Sequence, residues 1–352
     1  MQRSINTTDS RSREGFTMIE LLVVMTIIAL LFGAVLFAMG RSTENARVAG
    51  TRTLLKQIDA AIQDRLEAFQ RHSFRSEASA IRAKYNSIVS PTSNLDGADL
   101  TQLETLVRKV RYREMLPQRK EDLFGLDNTD NSGTDDDAQY WKWVRTKDSN
   151  PSSTELLYAA LTRGPSYGGA PLQLDDIPSQ YIVDSDGDGL LEFVDGWGQP
   201  LRFYNAPTGL LRPSGYATAD ISILNQQNAR VFVPGLPDVL LDPSMPSDVS
   251  ADDYASQLNR DPLDPLGDLQ SMMSGGGAIA AWVTARFRVD DMGVWDYSAP
   301  NTYYTPLVVS AGSDEQLGLK EPSGTGAERL GVVESPPDAI YDNLTNRQRG
   351  GL

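Results

Sequence analysis

The strongest pattern in the sequence is an uncharged, mainly apolar run over residues 21–40. A helix of about 20 apolar residues is long enough to cross a bilayer. Arg3, Arg11 and Arg13 precede the run, and Glu20 stands immediately before it. Because basic residues are retained on the cytoplasmic side of a membrane, the pattern predicts a membrane helix with a cytoplasmic N-terminus and an exported remainder.

A second helical pattern follows directly. Apolar residues recur at steps of three and four, which predicts an amphipathic helix with one packed face. Charged residues such as Arg65 fall between them, and we expect these on the polar face. Together the two patterns predict one long helix from about Thr17 to Arg71. The apolar positions are Val48, Leu55, Ile58, Ile62, Leu66 and Phe69.

Residues 73–180 are mainly helical in pattern, and two of their helices have defined ends. An apolar stripe predicts a helix that ends before Pro117, and Ser152 or Ser153 is placed to cap a short helix that Gly164 ends. The basic residues around the stripe predict a solvated face, or else a contact with phospholipid head groups or an acidic neighbour. The stripe is Leu100, Leu103, Val107 and Val110, and the basic residues are Arg108, Lys109, Arg111 and Arg113.

From about residue 181 the pattern changes to short strands and turns. The sequence therefore predicts an α+β fold, in which the long N-terminal helix packs on an antiparallel β-sheet head with helical and loop insertions. Acidic residues 127–137 and the Pro-rich stretch 234–275 are expected to be loops. The best strands are Tyr181–Val183, Leu201–Tyr204, Ala280–Val289 and Leu307–Ser310. The predicted regions are a leader (1–15), a transmembrane helix (16–40), its amphipathic continuation (41–72), a mainly helical insertion region (73–180) and a β-rich head (181–352).

The composition excludes several classes of function. The net charge of −15 argues against nucleic acid as a partner, because nucleic-acid binding needs a basic face. The chain has no cysteine, which excludes disulfides, thiolate metal sites and cysteine nucleophiles. His72 is the single histidine, and no nucleophile elbow or phosphate loop is present. Paired acids are plentiful but no particular pair is marked, so we expect the protein not to be an enzyme.

The start of the apolar run carries the most specific motif. Gly15 stands before the run, so cleavage there would leave the apolar helix on the mature protein, unlike cleavage of an ordinary secretory signal. The run Gly-Phe-Thr-Met-Ile-Glu-Leu at 15–21 resembles the signal of type IV pilins and type II secretion pseudopilins. The resemblance implies that prepilin peptidase cuts after Gly15 and methylates the amine of Phe16. It also implies that Glu20 meets the N-terminal amine of a neighbouring subunit. The alternative is a simple signal anchor with a stray acid.

A calcium-loop template fits residues 184–195. Acids stand at positions 1, 3, 5 and 12, and Gly189 at position 6 permits the sharp bend. Strand-like flanks indicate a calcium loop without the usual helix pair, and the alternative is a hydrophilic hairpin turn. The predicted ligands are Asp184, Asp186, Asp188, the Leu190 carbonyl and Asp195.

Two further segments resemble parts of the major pseudopilins. The segment Asp-Gly-Trp-Gly-Gln-Pro at 195–200 resembles their Asp-x-Trp-Gly-x-Pro signature, in which Trp197, Gly198 and Pro200 have a structural role. A sugar-binding role for Trp197 is the alternative. The C-terminal residues that resemble the family's calcium loop are Ser310, Gly312, Asp314 and Asp342. That resemblance implies a calcium site at Ser310, Asp314 and Asp342, and its alternative is a plain turn.

These observations favour a structural subunit of a type II secretion pseudopilus or type IV pilus-like filament. The resemblance implies a single-pass inner-membrane protein with a periplasmic head. Its implied partners are further copies or other pseudopilins, prepilin peptidase, an inner-membrane assembly platform and membrane lipid, but not nucleic acid. Two alternatives stay open: a minor tip subunit acting as an adhesion or binding module, and an independent membrane-anchored periplasmic calcium-binding protein.

Overall fold

The computed structural model describes residues 17–88, 97–123, 141–148, 150–207, 306–322, 331, 334 and 342–347. The leader, the predicted loops at 127–137 and 234–275, and the predicted strand Ala280–Val289 lie outside these residues. The chain divides into two compact units, Met1–Arg47 and Val48–Leu352. The described part contains both helices and small antiparallel sheets, as the predicted α+β class requires.

The long helix predicted from the two N-terminal patterns is present. It is α1, Met18–Arg71, and it contains 54 residues. Within the second unit its predicted apolar face is buried, including Ile58, Ile62 and Phe69. Arg65 is also buried, at 1% exposure, although the sequence pattern placed it on the polar face. That prediction was wrong, because the guanidinium of Arg65 binds the end of another helix.

Two helices follow α1 and contact each other: α2, Arg75–Ile88, and α3, Gly97–Met115. The predicted apolar stripe of α3 is buried at Leu103, Val107 and Val110, and α3 ends before Pro117 as predicted. The expected solvated basic face is wrong in large part. Lys109 and Arg113 are buried. Arg111 forms ion pairs with Glu77 of α2 and with Glu114 of α3 itself.

A short helix, α4 (Trp141–Arg145), precedes the buried helix α5 (Ser153–Arg163). Ser152 caps α5, which decides between the two predicted caps. Its hydroxyl accepts a hydrogen bond from the Glu155 N–H at 3.4 Å, and the Glu155 carboxylate accepts one from the Ser152 N–H. This reciprocal pair satisfies two N–H groups that a helix start leaves without partners. Gly164 follows the last residue of α5, as predicted.

The strands form two small antiparallel sheets. The first pairs β1 (Ile182–Val183) with β2 (Glu192–Phe193), and the second has the order β3–β4–β5. Three strands were predicted to within a residue, whereas β2 and β5 were not. The strands of the second sheet are β3 (Arg202–Tyr204), β4 (Leu307–Ser310) and β5 (Leu344–Thr345).

One hydrophobic core joins the helices and strands of the second unit. It is formed by residues from α1, α3, α5 and the strands, such as Ile58, Val107, Leu157, Phe203 and Val308. A smaller core cluster joins α4 and α5 to Leu190, which lies just before β2. The helices between 75 and 163 are therefore part of the same folded body as the sheets.

Candidate functional site

The first turn of α1 is held by its own side chains. The Thr17 N–H and the Thr17 hydroxyl both donate hydrogen bonds to Glu20 Oε2, each at 2.8 Å. The Glu20 N–H donates to the Thr17 hydroxyl at 3.3 Å. Thr-x-x-Glu is the spacing of a capping box, so Glu20 has a local structural role that our sequence reasoning missed. Gly15 and Phe16 lie outside the described residues.

The helix surface that follows is apolar and exposed. Large apolar side chains from Met18, which is 89% exposed, to Phe32, at 68%, face solvent in the isolated chain. Contiguous apolar surface of this kind marks a site that another molecule or a membrane covers. Within the described residues, no helix meets the combined length and hydropathy expected of a membrane span.

The structure brings three of the predicted calcium ligands together. Asp184, Asp186 and Asp188 lie in residues 184–191, which connect β1 to β2 and are called the acidic hairpin below. Each of the three carboxylates places an oxygen within 4.8 Å of the others. Gly187 and Gly189 have φ angles of 82° and 92°, and their N–H groups both donate to Asp184. The positive φ angles at these glycines allow the tight turn that gathers the three acids.

The structure does not bring Asp195 into this group. Strand β2 carries the chain out of the acidic hairpin, and Asp195 lies beyond it, 2% exposed. Its carboxylate accepts hydrogen bonds from the Ser310 hydroxyl at 2.7 Å and from the N–H groups of Trp197 and Gln199. Burial raises the pKa of Asp195, and these hydrogen bonds oppose the rise. Asp195 therefore anchors the next turn.

Glu192, the first residue of β2, contacts the acidic hairpin instead. Its Oε1 accepts a hydrogen bond from the Ser185 N–H at 2.8 Å, and Glu192 is 2% exposed. Glu192 stands at position 9 of the calcium-loop template, where the template also places a ligand. The sequence reasoning missed this residue, although its spacing from Asp184 was a usable signal. The Leu190 N–H donates to Asp188, and the Leu190 side chain packs in the smaller core.

The turn at 195–200 has the geometry that a structural role requires. Gly198 has a φ of 87°, and its N–H donates to the Asp195 carbonyl oxygen. Trp197 packs against the main core, and Pro200 bridges to Val194. The Gly196 N–H donates to the Thr51 hydroxyl of α1 at 2.8 Å. The turn is thereby fastened to the second half of α1.

The C-terminal segment brings two of the residues implied by the resemblance, Asp314 and Asp342, into contact. Asp342 Oδ2 accepts hydrogen bonds from the Ser313 hydroxyl at 2.7 Å and the Asp314 N–H at 2.9 Å. The Ser310 hydroxyl instead faces Asp195. Among the described residues, neither Asp314 nor Asp342 belongs to a group of three or more acids able to hold a metal. These hydrogen bonds close the turn, and a calcium site at Ser310, Asp314 and Asp342 stays a prediction.

Comparison with known families identifies the N-terminal motif. Residues 10–36 match the family model described as the prokaryotic N-terminal methylation motif. This motif is the signature of the prepilin signal of type IV pilins and pseudopilins, which confirms the resemblance seen at 15–21. It implies processing by prepilin peptidase, anchoring in the membrane through the N-terminus and assembly into pilus-like filaments. Comparison of the chain with curated proteins and with solved structures finds no match to either.

Proposed function

We propose that this protein is a structural subunit of a type II secretion pseudopilus or a type IV pilus-like filament. The observation that carries the proposal is the methylation motif at 10–36, which leads directly into α1. Prepilin peptidase cuts between Gly15 and Phe16 and methylates the new amine. The mature chain then begins one residue before the capping box of Thr17 and Glu20.

The proposed topology follows from the charge pattern. The arginines of the leader stay in the cytoplasm, α1 enters the inner membrane once, and the head lies in the periplasm. Lipid covers the exposed apolar side chains of α1 before assembly, and α1 of neighbouring subunits covers them afterwards. The protein is not an enzyme in this proposal, and its net charge of −15 leaves nucleic acid out as a partner. An inner-membrane assembly platform is the further partner.

Filament formation tests this proposal. The protein is expressed with prepilin peptidase and a pilus or secretion assembly system, and filaments sheared from the cells are examined by electron microscopy and immunoblotting. We expect the protein along the length of the filaments, and no filaments when the peptidase is omitted. Labelling confined to one end would favour the tip-subunit alternative. A protein that stays entirely in the membrane fraction while other filaments form would contradict the proposal.

We also propose that the head binds calcium at the acidic hairpin. The support is the convergence of three carboxylates in a turn whose spacing matches a calcium loop. Calcium binds six to eight oxygen ligands in flexible geometries, whereas magnesium demands a near-ideal octahedron. Calcium is therefore the expected ion.

A further inference from the structure

The carboxylates around the acidic hairpin come from more than the hairpin itself. Asp148, which follows α4, and Glu155, in the first turn of α5, each place an oxygen within 4.8 Å of one another and of Asp188. Asp188 also belongs to the group formed with Asp184 and Asp186. Acids from three separate segments thus converge on Asp188.

Two carboxylate oxygens in this region are buried without a hydrogen-bond donor among the described residues. They are Asp188 Oδ2 and Glu192 Oε2. The other oxygen of Glu192 accepts from the Ser185 N–H, which lies between Asp184 and Asp186, so the Glu192 carboxylate points into the acidic hairpin. A buried carboxylate oxygen with no partner costs stability. A cation bound by Asp188 would supply the missing partner for its Oδ2.

Several acids in this region have raised pKa values. Burial raises the pKa of Glu155 to about 7, and the charges of Asp188 and Asp186 add to the rise. Burial likewise raises the pKa of Glu192 and of Asp188, and neighbouring hairpin carboxylates contribute. Lys147 lies beside the hairpin, with its ammonium 3.2 Å from the position that a Cβ on Gly189 would take. A cation bound at the hairpin would be repelled by this ammonium.

A cleft is lined by three of these acids. Asp148, Glu155 and Asp186 line one cleft, together with Lys120 and Glu321. A hydrated ion can therefore approach Asp148, Glu155 and Asp186 from this cleft. The cleft runs between the acidic hairpin and the start of α5, so an ion bound there touches both.

We propose that the calcium site is a bridge, in which Asp148 and Glu155 complete the ligand set of Asp184, Asp186 and Asp188 in place of Asp195. This inference rests on the calcium binding proposed above and adds the residues that hold the ion. The bound ion fastens the acidic hairpin to α5. Because Arg65 of α1 binds the opposite end of α5, calcium strengthens a connection that runs from the hairpin through α5 to α1.

The test uses the full-length protein in detergent micelles, calcium titration calorimetry and melting curves in calcium, magnesium and chelator. For the wild type we expect calcium binding and a melting temperature that rises with calcium much more than with magnesium. A ligand that binds only the folded state adds about 2.7 kcal/mol of stability at a hundredfold excess over Kd. A wild type that neither binds calcium nor changes its melt would contradict the proposed calcium binding itself, and the bridge with it.

Four variants then decide which residues hold the ion. Asp186→Asn, Asp148→Asn and Glu155→Gln should each weaken calcium affinity by about tenfold or more, since even groups that only orient a metal ligand contribute that much. Glu155→Gln keeps the oxygen that caps α5, so its melt in chelator should stay near the wild-type value. Asp195→Asn should leave calcium affinity unchanged.

The opposite pattern would overturn the bridge while leaving calcium binding in place. In that result Asp195→Asn loses affinity, whereas Asp148→Asn and Glu155→Gln bind calcium as the wild type does.

Lys147→Ala supplies a further check. If calcium competes with the Lys147 ammonium, this variant should bind calcium at least as tightly as the wild type. Weaker calcium binding by Lys147→Ala would contradict the position proposed for the ion.

Discussion

Glu20→Gln is expected to abolish filament assembly while the protein still inserts into the membrane. Glutamine keeps a side-chain oxygen that accepts the hydrogen bond from the Thr17 N–H, so the capping box of α1 survives. What disappears is the negative charge that, in the proposed filament, faces the methylated amine of Phe16 on a neighbouring subunit. At 4 Å and an effective dielectric constant of about 20, such a pair is worth about 4 kcal/mol. Because the pair recurs at every subunit, we expect sheared filaments to fall by far more than about tenfold.

Thr17→Ala is the matched control for this experiment. It removes the hydroxyl that caps α1 at a cost of about 1 kcal/mol, but it keeps the Glu20 charge and the Thr17 backbone donor. We therefore expect filaments from Thr17→Ala at a yield close to that of the wild type. If Glu20→Gln assembled normally, or if Thr17→Ala failed equally badly, Glu20 would act through the cap, and the charge pairing would be wrong.

Arg65→Met is expected to lower the stability of the head strongly. The Arg65 guanidinium is buried and donates hydrogen bonds to the carbonyl oxygens of Leu161 and Pro165, both at 2.8 Å, and of Gly164 at 3.4 Å. Methionine fills much of the same space but donates nothing, so the last carbonyl groups of α5 stay buried and unsatisfied. Hydrogen bonds to charged groups contribute about 1.5–3 kcal/mol each. We expect the free energy of unfolding to fall by about 3 kcal/mol or more.

Arg52→Met provides the comparison, because Arg52 lies on the same helix but is exposed. Exposed substitutions change stability by about 0.5 kcal/mol or less. Both variants are unfolded by urea as full-length protein in detergent, and tryptophan fluorescence is followed. Equal midpoints for the two variants would show that Arg65 does not hold α5 to α1. An Arg65→Lys variant should be intermediate, since lysine keeps the charge but lacks the planar fork of donors.

The parts of the fold that the sequence predicted depend on local pattern. The length of α1, the end of α3 before Pro117 and the cap of α5 follow from periodicity and from residues within one turn. Arg65 shows that local pattern does not reveal partners distant in sequence. Its position between apolar residues indicated a solvated side chain, but its partners lie at the end of α5 and just after it, about a hundred residues away. Arg111 was misplaced for the same reason, because its partner Glu77 belongs to α2.

Only the local part of the candidate calcium site could likewise be predicted from the sequence. Asp184, Asp186 and Asp188 are close in sequence and share one turn, so their spacing was sufficient to bring them together. Excluding Asp195 requires knowing that β1 and β2 pair and that β2 carries the chain away from the acidic hairpin. Strand β2 has only two residues, and its sequence showed no alternation that would mark a strand. Asp148 and Glu155 reach the hairpin only through tertiary packing, which no spacing rule could show.

The intact mass of the protein purified from membranes tests the central claim most directly. The measurement is made on protein expressed with an active prepilin peptidase, and Gly15→Ala and Ser12→Ala serve as the sensitive and the neutral variant. The wild type and Ser12→Ala are expected to consist of residues 16–352 carrying one added methyl group, whereas Gly15→Ala should retain a larger share of precursor. A wild-type mass that still includes residues 1–15 in the presence of the active peptidase would contradict the account.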